Sequence, residues 1–423
     1  MNTYKLSFYK RLFFVLFTAT CFFQLISCNK SVDVEQVTPP AGVMDFTPII
    51  GPKNTIININ GDQFPDKGSI AVTVNGKVAS VISSTSTNIQ AKVASGTGSG
   101  PIKVSFSGKS FNGPDFTYIN SSFEVTSITN GIQGYLDGPV ATAYYEDIEG
   151  IVIDANNNLY NAQYGSGADK VRKLNLNTMV VSTLNNAVGG GAEFISVDVS
   201  GNVYIADEDN NLIKKITPTG SISTIASTTF AIQGIKVGTS GNIYVSGSTT
   251  IAKFNPAGSL LWSIESHGSG NVDGDTSLAE FNLNGNIEVD PTEKFIYVLG
   301  SQAATLSSQI KLLSIVDKTI TTIAGTGNRG LVNGSALSAR FGFIYSVLLD
   351  KDGGLYIADA TNNVIRYLKD DNVRTVIGSS QGDLDGNGSN VKLNFPQGLA
   401  FDTFGNLYIS DYSNGKIKKV IIN

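Results

Sequence analysis

Alternating apolar and polar residues recur along most of the chain, and one phrase of this pattern is repeated six times. Each copy has an apolar run, a turn of Asp, Asn and Gly residues, and then an apolar-tyrosine-apolar run. A period of two is typical of β-strands with one buried face, and these turn residues accept the positive φ of a tight turn. The six copies span residues 151–163, 196–207, 235–247, 287–300, 347–359 and 399–411.

Two further strand-like runs follow these copies, as in residues 211–226 and 363–378. Four strands of five or six residues with short turns need roughly 40 residues, which is the scale of the repeat. Repeats of this size are typical of propeller blades, whereas a β-helix has a shorter repeat and the leucine-rich pattern is absent. We therefore predict a six-bladed β-propeller over residues 121–423.

The two ends of the repeat region are complementary. After the last copy only one more strand-like run remains, residues 416–422, so the last blade lacks its outer strand. The missing phrase precedes the first copy, because residues 121–150 align with residues 318–346. The run 123–128 is therefore predicted to complete the last blade, which closes the ring and removes open strand edges.

A separate β unit precedes the repeats. Residues 55–60, 70–74, 88–93 and 102–106 alternate in the manner of strands, and Asn-Gly and Gly-Pro turns separate them. Short strands at this spacing predict a small antiparallel sandwich over residues 42–119. The chain is thus predicted to be all-β.

The phrases of the sandwich resemble those of the IPT/TIG family of immunoglobulin-like domains. The resemblance is carried by Pro48, Gly51 and four phrases. These phrases are INGDQF at 59–64, VTVNGKVASV at 72–81, GSGPIKV at 98–104 and FTYI at 116–119. The family resemblance implies a spacer or docking role for this domain.

The repeats resemble NHL repeats. The resemblance is carried by GNLYISD at 405–411, by NVIR at 363–366 and by the linker phrase at 322–341. WD40 repeats fit less well, because the chain has no Trp-Asp dipeptide. The resemblance implies an NHL-type propeller that binds its ligands at the mouth of the central channel.

The N-terminus has the pattern of an export signal. Lys5, Lys10 and Arg11 precede the apolar run 12–26, which is short for a membrane span, and Cys28 follows Leu-Ile-Ser. This order resembles a bacterial lipobox. It implies a lipoprotein signal peptide (1–27), lipidation at Cys28 and a tether (28–41). The alternative is an ordinary secretory signal in which the cysteine occurs by chance.

Composition limits the chemistry of the mature chain. The two cysteines, Cys21 and Cys28, both lie in the signal region, which excludes disulfides and cysteine sites elsewhere. The formal net charge is −5 and no basic cluster occurs, so we expect no nucleic-acid partner. The single histidine, His267, argues against histidine-based catalysis.

Three short motifs resemble functional loops but fall in the predicted linkers between blades. They are the dinucleotide-type 325–330, the hydrolase-type 378–382 and the EF-hand-like 383–388. We interpret all three as linker turns. The carboxylates that end the second strand of three repeats are likewise interpreted as turn-forming groups: Asp207, Asp359 and Asp411.

A polar ring is predicted where the innermost strands begin. Counting back from the end of each inner strand gives Glu149, Glu193, Gln233, Gly285, Tyr345 and Gln397. All but the glycine are candidate ligand contacts, and Glu149 and Glu193 are the candidate ligands of a metal ion. The alternative is a set of solvated residues around a water-filled channel. Candidate stacking aromatics are Tyr144, Tyr145, Tyr164, Tyr412 and Trp262.

The order of anchor, spacer and propeller resembles the glycan-binding lipoproteins of bacteria that import polysaccharides. We therefore expect a monomeric, non-catalytic binding protein of the cell envelope, held at the outer membrane by its lipid, with a polysaccharide or oligosaccharide as ligand. No cofactor is expected. Two alternatives remain open: a protein–protein scaffold in the envelope, and a propeller lyase or lactone hydrolase that uses a channel calcium ion.

Overall fold

The computed structural model is all-β and describes residues 42–51, 53, 55–94, 96–118, 123–163, 169–268, 270–302 and 305–422. The predicted signal peptide, the lipidation site Cys28 and the tether lie outside the described residues, as does the aromatic candidate Tyr164. Residues 41–423 form one unit. No helix among the described residues is long and apolar enough to span a bilayer.

The N-terminal part is a sandwich of eight strands with one short 3₁₀ turn, Lys67–Ser69. In hydrogen-bonded order the strands are Gly42–Thr47, Ile56–Asp62, Asn88–Lys92, Lys77–Ser84, Ala71–Val74, Gly100–Phe106, Lys109–Tyr118 and Ile50–Gly51. The strand Lys77–Ser84 joins the two faces, because its first half pairs with Ala71–Val74 and its second half with Asn88–Lys92. The predicted immunoglobulin-like sandwich is confirmed.

Alternation along the strands builds the sandwich core. Ile57 and Ile59 are buried, while the residues between and beside them reach the surface. Phe64 meets the edge of the Phe106 ring, with ring centroids 5.4 Å apart. Full burial of such side chains contributes roughly 1.5–3 kcal/mol each, which lets a small sandwich hold together without disulfides.

The C-terminal part is a propeller of six sheets, each with four strands running outward from the axis. Blades one to three are Ile148–Ile153, Asn158–Gln163, Lys170–Asn175, Val180–Asn185; Ile195–Val197, Val203–Asp207, Leu212–Ile216, Ile222–Ser227; and Gly234–Val237, Ile243–Ser246, Thr250–Phe254, Leu260–Glu265. Blades four to six are Glu288–Val289, Phe295–Gln302, Thr305–Ser314, Thr319–Ala324; Ile344–Leu349, Leu355–Asp359, Val364–Lys369, Asn372–Ile377; and Pro396–Phe401, Leu407–Asp411, Lys416–Ile422, Phe123–Ser127.

Short linker elements lie against the outer strands. Two-residue strands pair with the outer strands of blades one, four, five and six: Gly138–Pro139, Gly274–Asp275, Gly334–Ser335 and Gly386–Asn387. Two 3₁₀ turns lie beside outer strands, Ala336–Ser338 and Gly388–Asn390, whereas Ala360–Asn362 and Tyr412–Asn414 follow second strands and contact inner strands. The six-bladed architecture predicted from the repeat is confirmed.

The last blade is completed by the first strand of the propeller. Phe123–Ser127 pairs antiparallel with Lys416–Ile422, so that Val125 lies opposite Val420. The pairing extends one residue further, since Ile128 N donates to the carbonyl of Ile417 at 2.9 Å. The predicted closure of the ring is therefore confirmed, and the residues involved are separated by almost the whole length of the propeller.

The repeated tyrosines are explained by the turn that precedes them. In blade six, the Asp402 carboxylate accepts hydrogen bonds from the Phe404 and Asn406 amides at 2.9 Å each and from the Tyr408 hydroxyl at 3.3 Å. Gly405 takes a φ of 84° in this turn, which explains the Gly or Asn at this point of the repeat. In blades one, two and six the turn carboxylate thus connects the inner strand to the tyrosine hydroxyl of the second strand.

Blade three lacks this carboxylate, because Gly238 stands at the position that Asp402 occupies in blade six. Glu293 of blade four supplies the missing group. Its carboxylate accepts hydrogen bonds from the Ser240 amide at 2.6 Å and from the Tyr244 hydroxyl at 2.7 Å. The same hydrogen-bond function is therefore kept by a residue from the neighbouring blade.

The carboxylates that end the second strands hold buried cations and linker backbone. Asp359 forms an ion pair of 3.0 Å with Arg366, and both side chains are fully buried. The Arg366 guanidinium also donates to the carbonyls of Val332 and Arg340, and the Gly342 amide donates to Asp359 at 2.8 Å. Asp207 accepts a backbone hydrogen bond from the turn that follows it, at Asn210, as predicted. Asp359 and Asp411 instead accept from amides of the preceding linkers, at Gly342 and Asn394, so for these two the predicted turn role was wrong.

The EF-hand-like segment is a linker of the same kind. Asp383 and Asp385 lie 2.9 and 2.8 Å from the buried ammonium of Lys418, and Asp383 also binds Lys416. Two lysines thus neutralise the carboxylates that a calcium loop would need. The interpretation of residues 383–388 as a linker turn is confirmed.

Prediction: Val125→Asp lowers the free energy of unfolding by about 3–5 kcal/mol, because it places an unpaired charge in the core of the closing blade. Val125 is buried there among apolar side chains. Urea unfolding measures the effect. Thr126→Asp is the matched control, since Thr126 lies exposed on the same strand, and should change stability by less than about 1 kcal/mol. Equal losses in both variants would contradict the proposed importance of the seam.

Candidate ligand-binding site at the channel mouth

The predicted polar ring lies where the six inner strands begin, at one mouth of the central channel. The inner strands follow one another around the axis in chain order, and the last contacts the first. Gly150 N donates to the Glu193 carbonyl at 3.2 Å, which joins blades one and two. Asn286 N donates to the Tyr345 carbonyl at 3.2 Å, which joins blades four and five. The structure therefore brings the predicted positions together.

At two positions of the ring, the polar residue is followed directly by a glycine, and neighbouring inner strands approach each other closely there. A Cβ atom on Gly150 would lie 2.6 Å from the Glu193 carbonyl oxygen, and one on Gly398 would lie 2.6 Å from the Glu149 carbonyl oxygen. No real Cβ atom tolerates such a contact. These two glycines let the ring residues of adjacent blades stand side by side around the channel.

Several polar atoms of the ring have no hydrogen-bond partner among the described residues. They are Glu149 Oε2, Gln233 Oε1, Tyr345 OH and Gln397 Oε1. Buried polar atoms in folded proteins are nearly always paired, and each one left unpaired costs about 1–3 kcal/mol. Four such atoms in one ring are therefore costly to the fold and are available to a ligand.

The mouth is strongly acidic. Burial, and after it the charge of Glu193 and then of Asp147, raises the pKa of Glu149 to about 8. Burial, followed by the charges of Glu208 and Asp169, raises the pKa of Glu193 as well. The acidic side chains therefore raise the proton affinity of one another.

Tyr345 is more buried than predicted. Its side chain is only 6% exposed, its ring stacks on Phe194 at 5.5 Å, and Phe343 packs edge-on at 6.2 Å. Burial, followed by the charges of Glu149 and Glu193, raises the pKa of Tyr345 well above its ordinary range. The hydroxyl lies near the Glu193 carboxylate without meeting hydrogen-bond geometry.

The other ring positions differ in exposure. Glu149 and Gln397 are 7% and 4% exposed, while Glu193 and Gln233 are half-buried. Gly285 is buried and contributes no side chain. The ring therefore has a buried side near Glu149, Tyr345 and Gln397 and a more open side at Glu193 and Gln233.

An aromatic row crosses the mouth beside the ring. Phe343 stacks on Phe395 at 6.4 Å, and Phe395 contacts Tyr412 at 6.2 Å; all three are half-buried. Of these, only Tyr412 was predicted. Phe343 and Phe395 lie in linkers, outside the strand periodicity from which the candidates were chosen, although each directly follows the repeated linker phrase.

Three other aromatic predictions concern residues that pack elsewhere. Tyr145 is 1% exposed beneath the Arg172 guanidinium, so its prediction as an aromatic that stacks on a ligand was wrong. Trp262 lies edge-on to Tyr244 at 6.4 Å in blade three and is a packing residue. Tyr144 is half-buried, and its carbonyl accepts a hydrogen bond from Arg172 at 3.1 Å.

Glu208 is a member of the acidic mouth that the sequence analysis missed. It follows Asp207 directly, and Gln233 Nε2 donates to it at 3.4 Å. Its charge contributes to the raised pKa of both Glu149 and Glu193. The periodicity of the inner strands does not identify Glu208, because this residue follows a second strand.

The channel continues below the ring as a cavity of about 260 Å³. Phe194 and Tyr345 line it at the ring side. Deeper in the channel, Lys236 and Glu288 form an ion pair of 2.8 Å, so the charged groups of the lower channel neutralise each other. The mouth, in contrast, holds the unneutralised carboxylates.

A larger cavity of about 870 Å³ lies between the sandwich and the turns of blades five and six. Tyr118 and Lys77 of the sandwich line it, together with Tyr367, Arg374 and Phe404 of the propeller. Both signs of charge line this cavity, and the Asp350 carboxylate there is occupied by Tyr367 at 2.7 Å. Sequence periodicity contains no information on how two domains meet, so this cavity was not predicted.

The metal candidates Glu149 and Glu193 lie in the same mouth. Within the part of the chain that the structure describes, no group of three or more His, Cys, Asp or Glu side chains is arranged to hold a metal ion. The hypothesis of a calcium-dependent lyase or lactone hydrolase therefore gains no support from the described residues.

Comparison with known proteins identifies the N-terminal domain and the fold. Residues 41–118 match the IPT/TIG domain family. No curated protein gives a significant sequence match to the chain. A solved protein of unknown function from Bacteroides thetaiotaomicron is similar with a TM-score of 0.67 and 19% identity, over 91% of this chain and 98% of that one.

Two further solved structures are named auxiliary nutrient binding proteins. The one from Bacteroides thetaiotaomicron has a TM-score of 0.57 and 17% identity, and covers 90% of this chain and 97% of its own. The one from Bacteroides ovatus has a TM-score of 0.57 and 20% identity, with the same coverage of 90% and 97%. At these identities the likeness establishes a shared fold.

Prediction: Glu149→Gln stabilises the protein in a defined pH window. The pKa of Glu149 rises from 4.5 to about 8 on folding, so ionisation favours the unfolded chain between these two values. The variant should match the wild type near pH 4.5, become more stable as the pH rises, and exceed it above pH 8 by on the order of 3 kcal/mol.

Urea unfolding of both proteins from pH 4.5 to 9 measures this difference. Glu265→Gln is the matched control, because Glu265 is an exposed acid on the outer strand of blade three. A stability difference that stays constant across the pH range would show that the pKa of Glu149 is not raised.

Proposed function

We propose that the protein is a lipid-anchored cell-envelope protein that binds a polysaccharide or oligosaccharide, without catalysis, at the mouth of the propeller channel. The observation that carries this proposal is the ring of buried polar atoms that lack partners within the described residues. An array of fixed acceptors at a concave site is the usual basis of specific small-ligand binding.

The chemistry of the mouth suits a sugar. Carboxyl and amide oxygens accept hydrogen bonds from hydroxyl groups, and the Tyr345 hydroxyl both donates and accepts. The half-buried rings of Phe343, Phe395 and Tyr412 offer faces on which the apolar side of a pyranose ring can lie. The ring atoms thereby gain partners in the complex that they lack in the free protein.

The related structures supply independent support. Two proteins with this fold are named auxiliary nutrient binding proteins, and both come from Bacteroides. A polysaccharide-derived ligand is one class of nutrient that such a protein would take. An envelope protein as partner is the competing hypothesis, and it predicts binding over the exposed surface rather than in the ring.

The proposed anchor is Cys28. Lipidation of this residue would place acyl chains in the outer membrane, and two or more chains give stable anchoring. The tether 28–41 would then separate the membrane from the sandwich. In this arrangement the IPT/TIG domain is a spacer that presents the propeller.

Prediction: Tyr345→Phe weakens glycan binding by about tenfold, because the ligand loses one hydrogen bond to a buried group. The free energy of unfolding should not fall, since the lost hydroxyl has no partner in the free protein. A glycan array of residues 41–423 identifies the ligand, and calorimetry then measures both variants. Tyr244→Phe is the control, because that hydroxyl binds Glu293 away from the mouth.

Absence of saccharide binding in the wild type would overturn the proposed ligand class. Saccharide binding that Tyr345→Phe and Tyr244→Phe weaken equally would instead place the site elsewhere on the protein. In that case the cavity between the sandwich and the propeller becomes the next site to test.

Prediction: Cys28→Ala moves the protein from the membrane fraction to the soluble fraction of the cell, because the acyl chains are no longer attached. Fractionation with immunoblotting measures the shift, and Cys21→Ala is the matched control within the same signal region. Mass spectrometry of the mature N-terminus should show a lipidated Cys28. An unmodified mature chain would contradict the anchor.

A further inference from the structure

The carboxylates of the mouth differ from the other buried carboxylates of the propeller. Asp207 and Asp359 have cationic partners, Lys214 at 2.5 Å and Arg366 at 3.0 Å. Among the described residues, Glu149, Glu193 and Glu208 form no ion pair. Other buried acids without a cation, such as Asp154 and Asp402, are held by backbone amides and a tyrosine hydroxyl. Glu149 has neither a cation nor a hydrogen-bond partner for its Oε2 atom within the described residues.

Glu149 shows this imbalance most clearly. Its side chain is 7% exposed, and its Oε2 atom has no partner among the described residues. The charged groups that act most strongly on it are all acidic: Glu193, Asp147, Asp169 and Glu208. A further negative charge is unfavourable beside Glu149, because the site is buried and its neighbours are acidic. A cation bound there would offset both the desolvation of the carboxylate and its repulsion by these neighbours.

The aromatic row is affected by the same acidic groups. Burial and the charges of Asp147, Glu149 and Glu193 together raise the pKa of Tyr412 to about 12. A ring beside several carboxylates can contact a cation with its face while the carboxylates bind it from the side. A site that combines carboxylates with aromatic ring faces can bind an organic ammonium group.

The acceptors are spread around a ring rather than gathered at one point. No described group of carboxylates is arranged for a metal ion. A protonated primary amine offers three separate donors and can reach acceptors in different directions. The amide oxygens of Gln233 and Gln397, also without partners in the described structure, remain for hydroxyl groups.

From these observations, and resting on the proposed saccharide-binding function, we infer that the mouth selects sugars that carry a free, protonated amine. The amine lies among Glu149, Glu193 and Glu208, and hydroxyl groups of the same sugar bind the amides. This mixture of acidic and neutral acceptors favours an amino sugar over a basic peptide, whose side chain offers no hydroxyls beside its cation.

The ammonium group also favours the ionised form of Glu149. In the free protein the ionisation of this carboxyl is disfavoured, because burial and the neighbouring acids raise its pKa to about 8. A positive charge beside it lowers that pKa and so releases the proton. An N-acetylated sugar of equal size carries no charge and gains neither effect.

The test compares two oligosaccharides of the same length and linkage, a glucosamine oligomer and its fully N-acetylated counterpart, binding to residues 41–423. Calorimetry at pH 7 should show that the amino form binds at least tenfold more tightly. The preference should shrink as salt is raised from 50 to 500 mM, because screening weakens the charge contribution. A lysine-rich peptide serves as the competing cationic ligand.

Variants assign the preference to the mouth. Glu149→Gln and Glu193→Gln should each reduce the ratio of the two affinities from at least ten to about one, since each removes a charge and keeps a similar shape. Glu265→Gln, which removes an exposed charge on the outer strand of blade three, should leave the ratio unchanged. Both glutamate variants are measured, so that the conclusion does not depend on the correct folding of a single one.

The outcomes separate this inference from the proposed function. Equal affinity for the amino and acetylated oligomers overturns the charge selectivity and leaves saccharide binding intact. No binding of any oligosaccharide overturns both. Tighter binding of the lysine-rich peptide than of the amino oligomer would overturn the sugar assignment and identify a peptide site. A preference that persists in both acidic variants would locate the amine outside the mouth.

Discussion

The propeller is closed by pairing between the two ends of its own part of the chain, Phe123–Ser127 and Lys416–Ile422. Each inner strand packs between two neighbours around the axis, and the last sheet receives Phe123–Ser127 as its outer strand. Hydrogen bonds between residues far apart in sequence therefore tie the start of the propeller to its end. Without that pairing, the last blade would present an unpaired edge and the circle of contacts would be open.

Closure also creates the polar mouth. Six strands that start together at one axis bring six first residues into a ring, and glycines such as Gly150 and Gly398 are needed where adjacent strands approach. Several polar side chains at this point have no partner within the described residues. Glu149 and Gln397 keep buried oxygens unpaired, although the same propeller pairs its acids carefully elsewhere. The close approach of the inner strands and the unpaired polar atoms are therefore located together.

The sequence predicted the repeated features and missed those that break the repeat. Periodicity and turn residues were sufficient for the blades, the seam and the ring positions, because equivalent residues occupy equivalent places in every blade. Burial of Tyr345 was missed, since it depends on Phe194 from another blade. Phe395 and Glu208 were missed because they follow linkers and second strands. The cavity beside Tyr118 depends on how two domains meet, which no pattern along the chain reports.

Blade three has Gly238 in place of the turn carboxylate, and Glu293 of blade four supplies that carboxylate instead. This arrangement has a consequence for the evolution of the chain. Repeat proteins change blade number by duplicating or losing single units. Here a gene rearrangement that removed blade four alone would leave the turn at Ser240 and the hydroxyl of Tyr244 without their acceptor. Blades three and four are therefore expected to be inherited as a pair, and Gly238 and Glu293 should be gained or lost together across descendants of this chain.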